Sequence, residues 1–382
     1  MDFSRVPLTD EDLAFQDELR AFLADVVTDE VIRRDRETGE NFDETVHLAL
    51  GAAGYLARDY RSAADGGFSA VRRRIWELEI GRAHTPWFHW GTTAMVAHTV
   101  ERFASAELVA EVLPGVLSGE LRLCLGYTEP DGGSDVATCK TRAVRDGAGW
   151  IVNGSKMFTS NAHNAGYVFL LTCTDPAGPK HRNLTMFLVP LDSPGVQIQG
   201  IRTVDGDRTN ITFYSDVRID DRYRIGEVNG GWAVLRGALD AEHGTGEREA
   251  GGLQTIAVMT DHVLLMAQAV DRIAADAPPS YRLGRAVARM EAAMSAPGMY
   301  GRVAIAQTMR DVSPDLMDLL GTAGALPAGT PGAADDGGAE YIFRLAAPTG
   351  IYAGTLEVFR NMIAQHALGL GRPSYTSPNG AR

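Results

Sequence analysis

The hydrophobic period of this 382-residue chain changes twice, and that change limits the folds open to it. Up to residue 119 the apolar positions follow helical spacing, as in Phe15, Leu19, Phe22, Leu23 and Val26. Thr9, ahead of Asp10, Glu11 and Asp12, reads as the cap and acidic first turn of that helix. Further helices are expected around 43–54, 68–83, 89–103 and 106–117. From residue 120 the pattern becomes strand-like: LRLCLGY (121–127), YVFLLTCT (167–174), LTMFLVPL (184–191) and NITFYSDVRI (210–219). Asp146-Gly147 and Asn153-Gly154 read as hairpin turns between such runs. From Gly230 the helical period returns, over 230–244, 253–276, 283–308, 312–321 and about 355–369. The Gly-rich stretch 327–340 reads as a loop. The expectation is an α+β multidomain chain: an all-helical domain at 1–119, a β-barrel or sandwich at 120–228 and a C-terminal four-helix bundle at 229–382.

Charge narrows the partners. Lys and Arg total 36 against 49 Asp and Glu, a net charge of -13, which argues against nucleic acid or an anionic membrane as the main partner. No apolar run is long enough to cross a bilayer, and the first residues do not read as a signal peptide. Cys124, Cys139 and Cys173 have no metal-ligand spacing and read as buried small hydrophobes, as suits a reducing cytoplasm. No metal is expected.

Two polar stretches stand out within the β region. YTEPDGGSD (127–135) leaves a strand with two glycines, two aliphatic hydroxyls and three carboxylates. Such a loop brings backbone N–H groups and hydroxyls close to a polar ligand edge; an irregular turn is the alternative. KMFTSNA (156–162) ends another strand, with an aromatic before two hydroxyls. That suits stacking beside a ring system, or else a half-buried strand end.

The order of these blocks resembles the acyl-CoA dehydrogenase family. GYTEPDGGSDVATCKTRAVRDGAGWIVNGSKMFTSNA, FYSDVRIDDRYRIGEVNGGWAVL and GTLEVFRNMIAQHALGLGRP follow one another as that family's blocks do, across nearly the whole chain. The resemblance implies FAD between the β domain and the C-terminal bundle. It implies that Leu125, Tyr127, Thr128, Gly133, Ser134, Phe158, Thr159 and Ser160 contact the flavin or its phosphate, and that Thr355 and Glu357 lie on the adenosine side. Ser134, His243 and Ala353 are the implied substrate contacts, Ala353 through its backbone N–H to the thioester oxygen.

The implied reaction is α,β-dehydrogenation of an acyl-CoA thioester, with a carboxylate removing the α proton and the β hydrogen leaving as hydride. Many members carry the base in a Tyr-Glu-Gly-Thr block, where this chain has Tyr352-Ala353-Gly354-Thr355. Glu242 is the alternative, at i+10 from Trp232 on the stripe of Leu235 and Leu239. Glu247 and Glu249 remain open as candidates. The Arg-rich block that usually follows the Glu242 helix in the family, and that reaches FAD across a subunit interface in the common homotetramers, is absent from this chain. That departure resembles the heterotetrameric α2β2 enzymes of actinobacterial sterol side-chain breakdown. Expected partners are an acyl-CoA or acyl-phosphopantetheine substrate, an electron-transfer-flavoprotein-like acceptor, and either identical subunits or a paralogous chain. Two further readings stay open: a non-catalytic partner subunit, and a carrier-protein-linked acyl dehydrogenase or flavin oxidase. Gly126, Ala241 and Ala353 are expected to leave room for a bulky or branched acyl group.

Overall fold

The computed structural model describes residues 6–242, 277–296 and 298–371. Seven helices come first: α1 (Asp10–Val26), α2 (Asp29–Thr38), α3 (Glu44–Ala52), α4 (Tyr55–Tyr60), α5 (Ala70–Arg82), α6 (Trp90–Phe103) and α7 (Ala106–Ser118). Thr9 caps α1 as its sequence suggests: its hydroxyl accepts from the Asp12 N–H, and Asp12 accepts in return from the Thr9 N–H. Leu19, Leu23, Leu50, Leu56, Trp76 and Ile80 fill the core between these helices.

Eight strands follow: β1 (Leu123–Gly126), β2 (Arg142–Asp146), β3 (Gly149–Lys156), β4 (Tyr167–Cys173), β5 (Leu184–Pro190), β6 (Val196–Arg202), β7 (Arg208–Asp220) and β8 (Arg224–Ile225). They form one sheet in the order β6-β7-β3-β2-β4-β5-β8, with β1 added in parallel to β4. β4 and β5 are apolar at almost every position because both of their faces are covered. Phe169, Leu171, Met186 and Leu188 join the helical core, while Val168, Leu170, Phe187 and Val189 join Trp150, Val152, Tyr214 and Val217 in a second cluster. Strands from distant places in the sheet order meet in that cluster, so the sheet curls around it.

Asp146-Gly147 turns the β2–β3 hairpin, with Gly147 at φ +59°. Asn153-Gly154 does not make a turn. It lies inside β3, opposite a bulge in β7 where Asp216 takes φ +50° and its N–H donates to Asn153 Oδ1 at 2.9 Å. A side chain at Gly154 would strike Thr141 Oγ1 at 2.6 Å, so the glycine serves close packing across the sheet.

The C-terminal region contributes α8 (Gly231–Glu242), α9 (Ala277–Met294), α10 (Gly298–Leu320), α11 (Gly338–Thr349) and α12 (Leu356–Met362). Val234, Leu235 and Ala238 of α8 pack into the core shared by the N-terminal helices and the sheet. α9, α10 and α11 build a cluster of their own from Met290, Ile305, Met309, Val312, Leu316 and Ile342. Arg282 and Arg285 of α9 both pair with Asp315 of α10, at 2.7 and 2.8 Å, so these arginines knit two helices.

This cluster docks through polar contacts. Arg344 donates to the Asp205 carbonyl, Tyr341 to Asp207 at 3.3 Å, and Arg36 of α2 to Asp336 at 3.2 Å. Burial pushes the Asp207 carboxyl up to about 7. Of the segment 327–340, residues 327–337 form a loop with one 3-10 turn, and 338–340 open α11.

Candidate active site

β1 carries the chain out of the sheet at Gly126, and the YTEPDGGSD loop begins there. The Glu129 and Gly132 backbones bond each other reciprocally, at 3.0 and 3.1 Å, which folds the loop back on itself. Glu129 does not face solvent. Its carboxylate accepts from the Lys140 N–H at 2.6 Å, the Thr141 N–H at 2.9 Å and Lys156 Nζ at 2.7 Å. Lys156, the last residue of β3, is 0% exposed; its ammonium also donates to the Tyr127 carbonyl at 3.2 Å and lies 3.3 Å from Cys139 Sγ. Burial would raise the Glu129 carboxyl, but the Lys156 charge and these hydrogen bonds outweigh it and hold it down to about 2. Burial pushes the Cys139 thiol up to about 12, so it stays protonated. Cys124 and Cys173 are free and buried as well.

The second loop is tied to the first. The Met157 N–H donates to the Thr128 carbonyl at 2.9 Å, one residue beyond Lys156. Phe158 then takes φ +57° and is 55% exposed, an unusual backbone state for a bulky residue. Thr159 turns inward: its hydroxyl meets that of Thr212 at 3.3 Å, and its N–H and C=O bond Asn210 at 2.8 and 3.0 Å. The Ser160 hydroxyl meets Thr209 at 2.9 Å. These two hydroxyls are therefore committed within the protein. Asn161, at φ +64°, completes the turn.

His163 braces this loop from behind. It bonds Asn210 at 3.1 Å and Glu40, which lies between α2 and α3 and also accepts from Arg208 at 3.0 Å. A residue of the N-terminal helices thus reaches under the β-domain loop.

The expected contacts divide accordingly. Thr128, Gly133, Ser134 and Phe158 share the outer side of two lashed loops, with Gly133, Ser134 and Phe158 exposed. Tyr127 and Leu125 are half-buried against the helical core, Tyr127 with its ring 5.9 Å from that of Phe169. Thr355 caps α12 by accepting from the Val358 N–H at 3.3 Å, and Glu357 is exposed on the first turn of that helix.

Gly126 does not open space for a ligand. A Cβ there would meet Leu170 Cδ1 at 2.8 Å and Val168 Cγ2 at 2.9 Å, so neighbouring side chains already fill its place. The backbone of α8 extends to Glu242, seven residues beyond the buried Leu235. Nothing of the Ala241 and Glu242 side chains is described, and His243, Glu247 and Glu249 lie outside the described residues. The expected helix at 253–276 lies outside them too.

The Lys156–Glu129 pair was not among the residues singled out from sequence. Its signal was present: Trp150, Val152, Gly154 and Lys156 fall on one side of β3 by strand parity. A lysine on the inward side of a strand needs a carboxylate partner.

Comparison with known proteins agrees with this geometry. Sequence profiles described as "Acyl-CoA dehydrogenase, N-terminal domain" and "Acyl-CoA dehydrogenase, middle domain" match residues 9–120 and 124–221. Acyl-CoA dehydrogenase FadE26 of Mycobacterium tuberculosis is 30% identical, over 96% of this chain and 99% of its own length. The Tcur3481-Tcur3483 steroid ACAD has a chain that superposes with a TM-score of 0.86 at 29% identity, over 98% of this chain and 100% of that one. A chain of the ChsE4-ChsE5 complex from Mycobacterium tuberculosis gives 0.84 at 30% identity, over 97% and 100%.

Proposed function

The chain belongs to the acyl-CoA dehydrogenase family of oxidoreductases, and on that premise we propose that it desaturates an acyl-CoA thioester between the α and β carbons, with FAD as cofactor and Glu242 as base. The observation that carries the reading is the strained, exposed Phe158 beside Thr128, on two loops fastened by a buried ion pair. An exposed aromatic flanked by backbone polar groups fits a flat heteroaromatic ring, and strain of this kind collects at ligand sites. FAD held there by Thr128, Ser134 and Phe158 would supply the acceptor for the β hydrogen and its electron pair.

The residues of the chain do the rest. Ser134, on the exposed loop, orients the thioester arm. The Ala353 N–H donates to the thioester oxygen, which makes the α C–H more acidic. The Glu242 carboxylate takes the α proton. Helical spacing supports that choice, because position 242 falls one heptad after the buried Leu235.

Two similar structures extend the reading. One is a steroid ACAD and the other is the ChsE4-ChsE5 complex. We infer a bulky, sterol-derived acyl group for this chain, assembly with a paralogous chain, and an electron-transfer flavoprotein as acceptor. A sterol-CoA turned over no faster than butyryl-CoA counts against the first. Full FAD occupancy and activity of the isolated chain count against the need for a paralogue.

The test of the base is Glu242→Gln in FAD-loaded protein. FAD stays bound, while anaerobic bleaching of the flavin by acyl-CoA slows by roughly 10²–10⁴-fold. Bleaching at the wild-type rate refutes Glu242 and moves attention to Glu247 and Glu249.

A further inference from the structure

The turn at 352–354 is held in an unfavourable shape by a residue 50 positions away in the sequence. Ala353 sits at φ +52° and Gly354 at φ +90°. The left-handed region costs an alanine roughly 1–2 kcal/mol. Gly354 admits no side chain, since a Cβ there would lie 2.9 Å from Phe359 Cε2.

Arg302 of α10 supplies the restraint. It is 7% exposed, and its NH2 donates to the Tyr352 carbonyl at 2.6 Å and lies 3.4 Å from that of Gly354. The guanidinium is 5.6 Å from the ring centroids of both Tyr352 and Phe359.

The consequence follows from peptide geometry. The Tyr352 C=O and the Ala353 N–H belong to one planar trans unit and point in opposite directions. Drawing the carbonyl inward to Arg302 turns the N–H outward. Among the described residues, no acceptor meets the N–H of Ala353 or Gly354.

We propose that Arg302 is a positioning residue for the substrate thioester: by holding the Tyr352 carbonyl it aims the Ala353 N–H at the thioester oxygen. This rests on the proposed function, in which Ala353 contacts the substrate. One guanidinium nitrogen reaches both carbonyls while the planar group lies against two rings, an arrangement that a lysine's compact ammonium does not reproduce.

The test compares binding of octanoyl-CoA with that of S-octyl-CoA, a thioether with the same arm and no carbonyl. Both are titrated calorimetrically into FAD-loaded holoenzyme. Wild type should prefer the thioester by about 5–10-fold, the worth of one hydrogen bond. Arg302→Lys and Arg302→Met should erase that preference while leaving thioether affinity unchanged. They should lower kcat on octanoyl-CoA by about 10²-fold.

Gly354→Ala perturbs the same turn through Phe359 while keeping the arginine itself, and should erase the preference too. If the Arg302 variants do not fold, Gly354→Ala decides. A preference kept in the folded variants overturns the proposal, as does an equal loss of both affinities. A wild type that shows neither preference nor anaerobic bleaching by octanoyl-CoA or a sterol-CoA overturns instead the function on which this rests.

Discussion

Replacing Lys156 by methionine removes a buried ammonium while keeping most of the side chain's length. Lys156 is fully buried, and Glu129, 2.7 Å away, is buried too. Without the lysine, the carboxylate keeps the Lys140 and Thr141 N–H groups and the Cys139 thiol as donors, none of which carries a charge. Breaking one side of such a pair typically costs about 3–5 kcal/mol. The Glu129 carboxyl gives a scale of the same order: the lysine and the backbone hydrogen bonds together hold it down from 4.5 to about 2, which corresponds to roughly 3 kcal/mol at neutral pH. A pKa depressed by folding means stability that is full above about 4.5 and lost as pH falls toward 2, so the defect of Lys156→Met should shrink in acid. Urea unfolding followed by tryptophan fluorescence measures this at pH 7 and again near pH 3. Lys156→Met and Glu129→Leu should each cost about 3 kcal/mol or more. The double variant, which restores charge balance, should recover at least about 2 kcal/mol of their sum. FAD affinity should fall with each single variant, because the pair lies under both loops. Single costs below about 1 kcal/mol, or costs that simply add, refute the claim that this ion pair fastens the site.

Two further outcomes test the surrounding core. His47 is 2% exposed with both ring nitrogens unpartnered among the described residues, and burial, aided by the Arg122 charge, lowers its pKa to about 4. The unfolded chain therefore takes up the proton first as pH falls below 6.5, and stability declines by roughly 3 kcal/mol before levelling near pH 4. In His47→Leu the slope of unfolding free energy between pH 6.5 and 4 should flatten; an unchanged slope counts against the assignment. Gly126→Ala should destabilise by about 1–3 kcal/mol through contact with Leu170 and Val168. It should leave acyl-chain preference unchanged, and a narrowed substrate range would return Gly126 to the binding pocket.

Much of the architecture was legible because strong periodicity follows burial. β4 and β5 read as continuous apolar runs and are buried on both faces. The Thr9 cap was visible because its partners lie three residues away. α2 was not anticipated: DEVIRRDRET buries only Val31, so it shows no apolar stripe. It is held by the Thr28 cap, by Arg33 paired with Glu30 and Glu37, and by Gly39 in the left-handed region. In the C-terminal region the boundary expected between 308 and 312 does not exist: α10 runs through Pro314 to Leu320, and the break falls before it. α11 was missed because it opens with glycine and ends near Pro348. The exposed loops of the site were legible from composition. The inward turn of Thr159 was not, because it depends on Asn210 and Thr212 of a strand 50 residues on.

The site's departures from local preference share one construction. Phe158, Asn161 and Ala353 are non-glycine residues in the left-handed region, each a conformation that its own sequence neighbourhood disfavours. Behind each lies a buried polar side chain tied to a distant part of the chain. Lys156 and Glu129 lock the strand end before Phe158, Asn210 grips the backbone of Thr159 before Asn161, and Arg302 draws in the carbonyl before Ala353. A local reading weighs propensity and cannot see these restraints, since they act across the fold. At Ala353 the support leaves an N–H pointing outward, because a backbone carbonyl drawn inward reverses its partner amide, and at Phe158 it leaves an aromatic side chain exposed. Strain and exposure are therefore two results of one cause. A variant that relaxes φ at Phe158 or Ala353 toward ordinary values should withdraw the very groups on which the proposed chemistry depends.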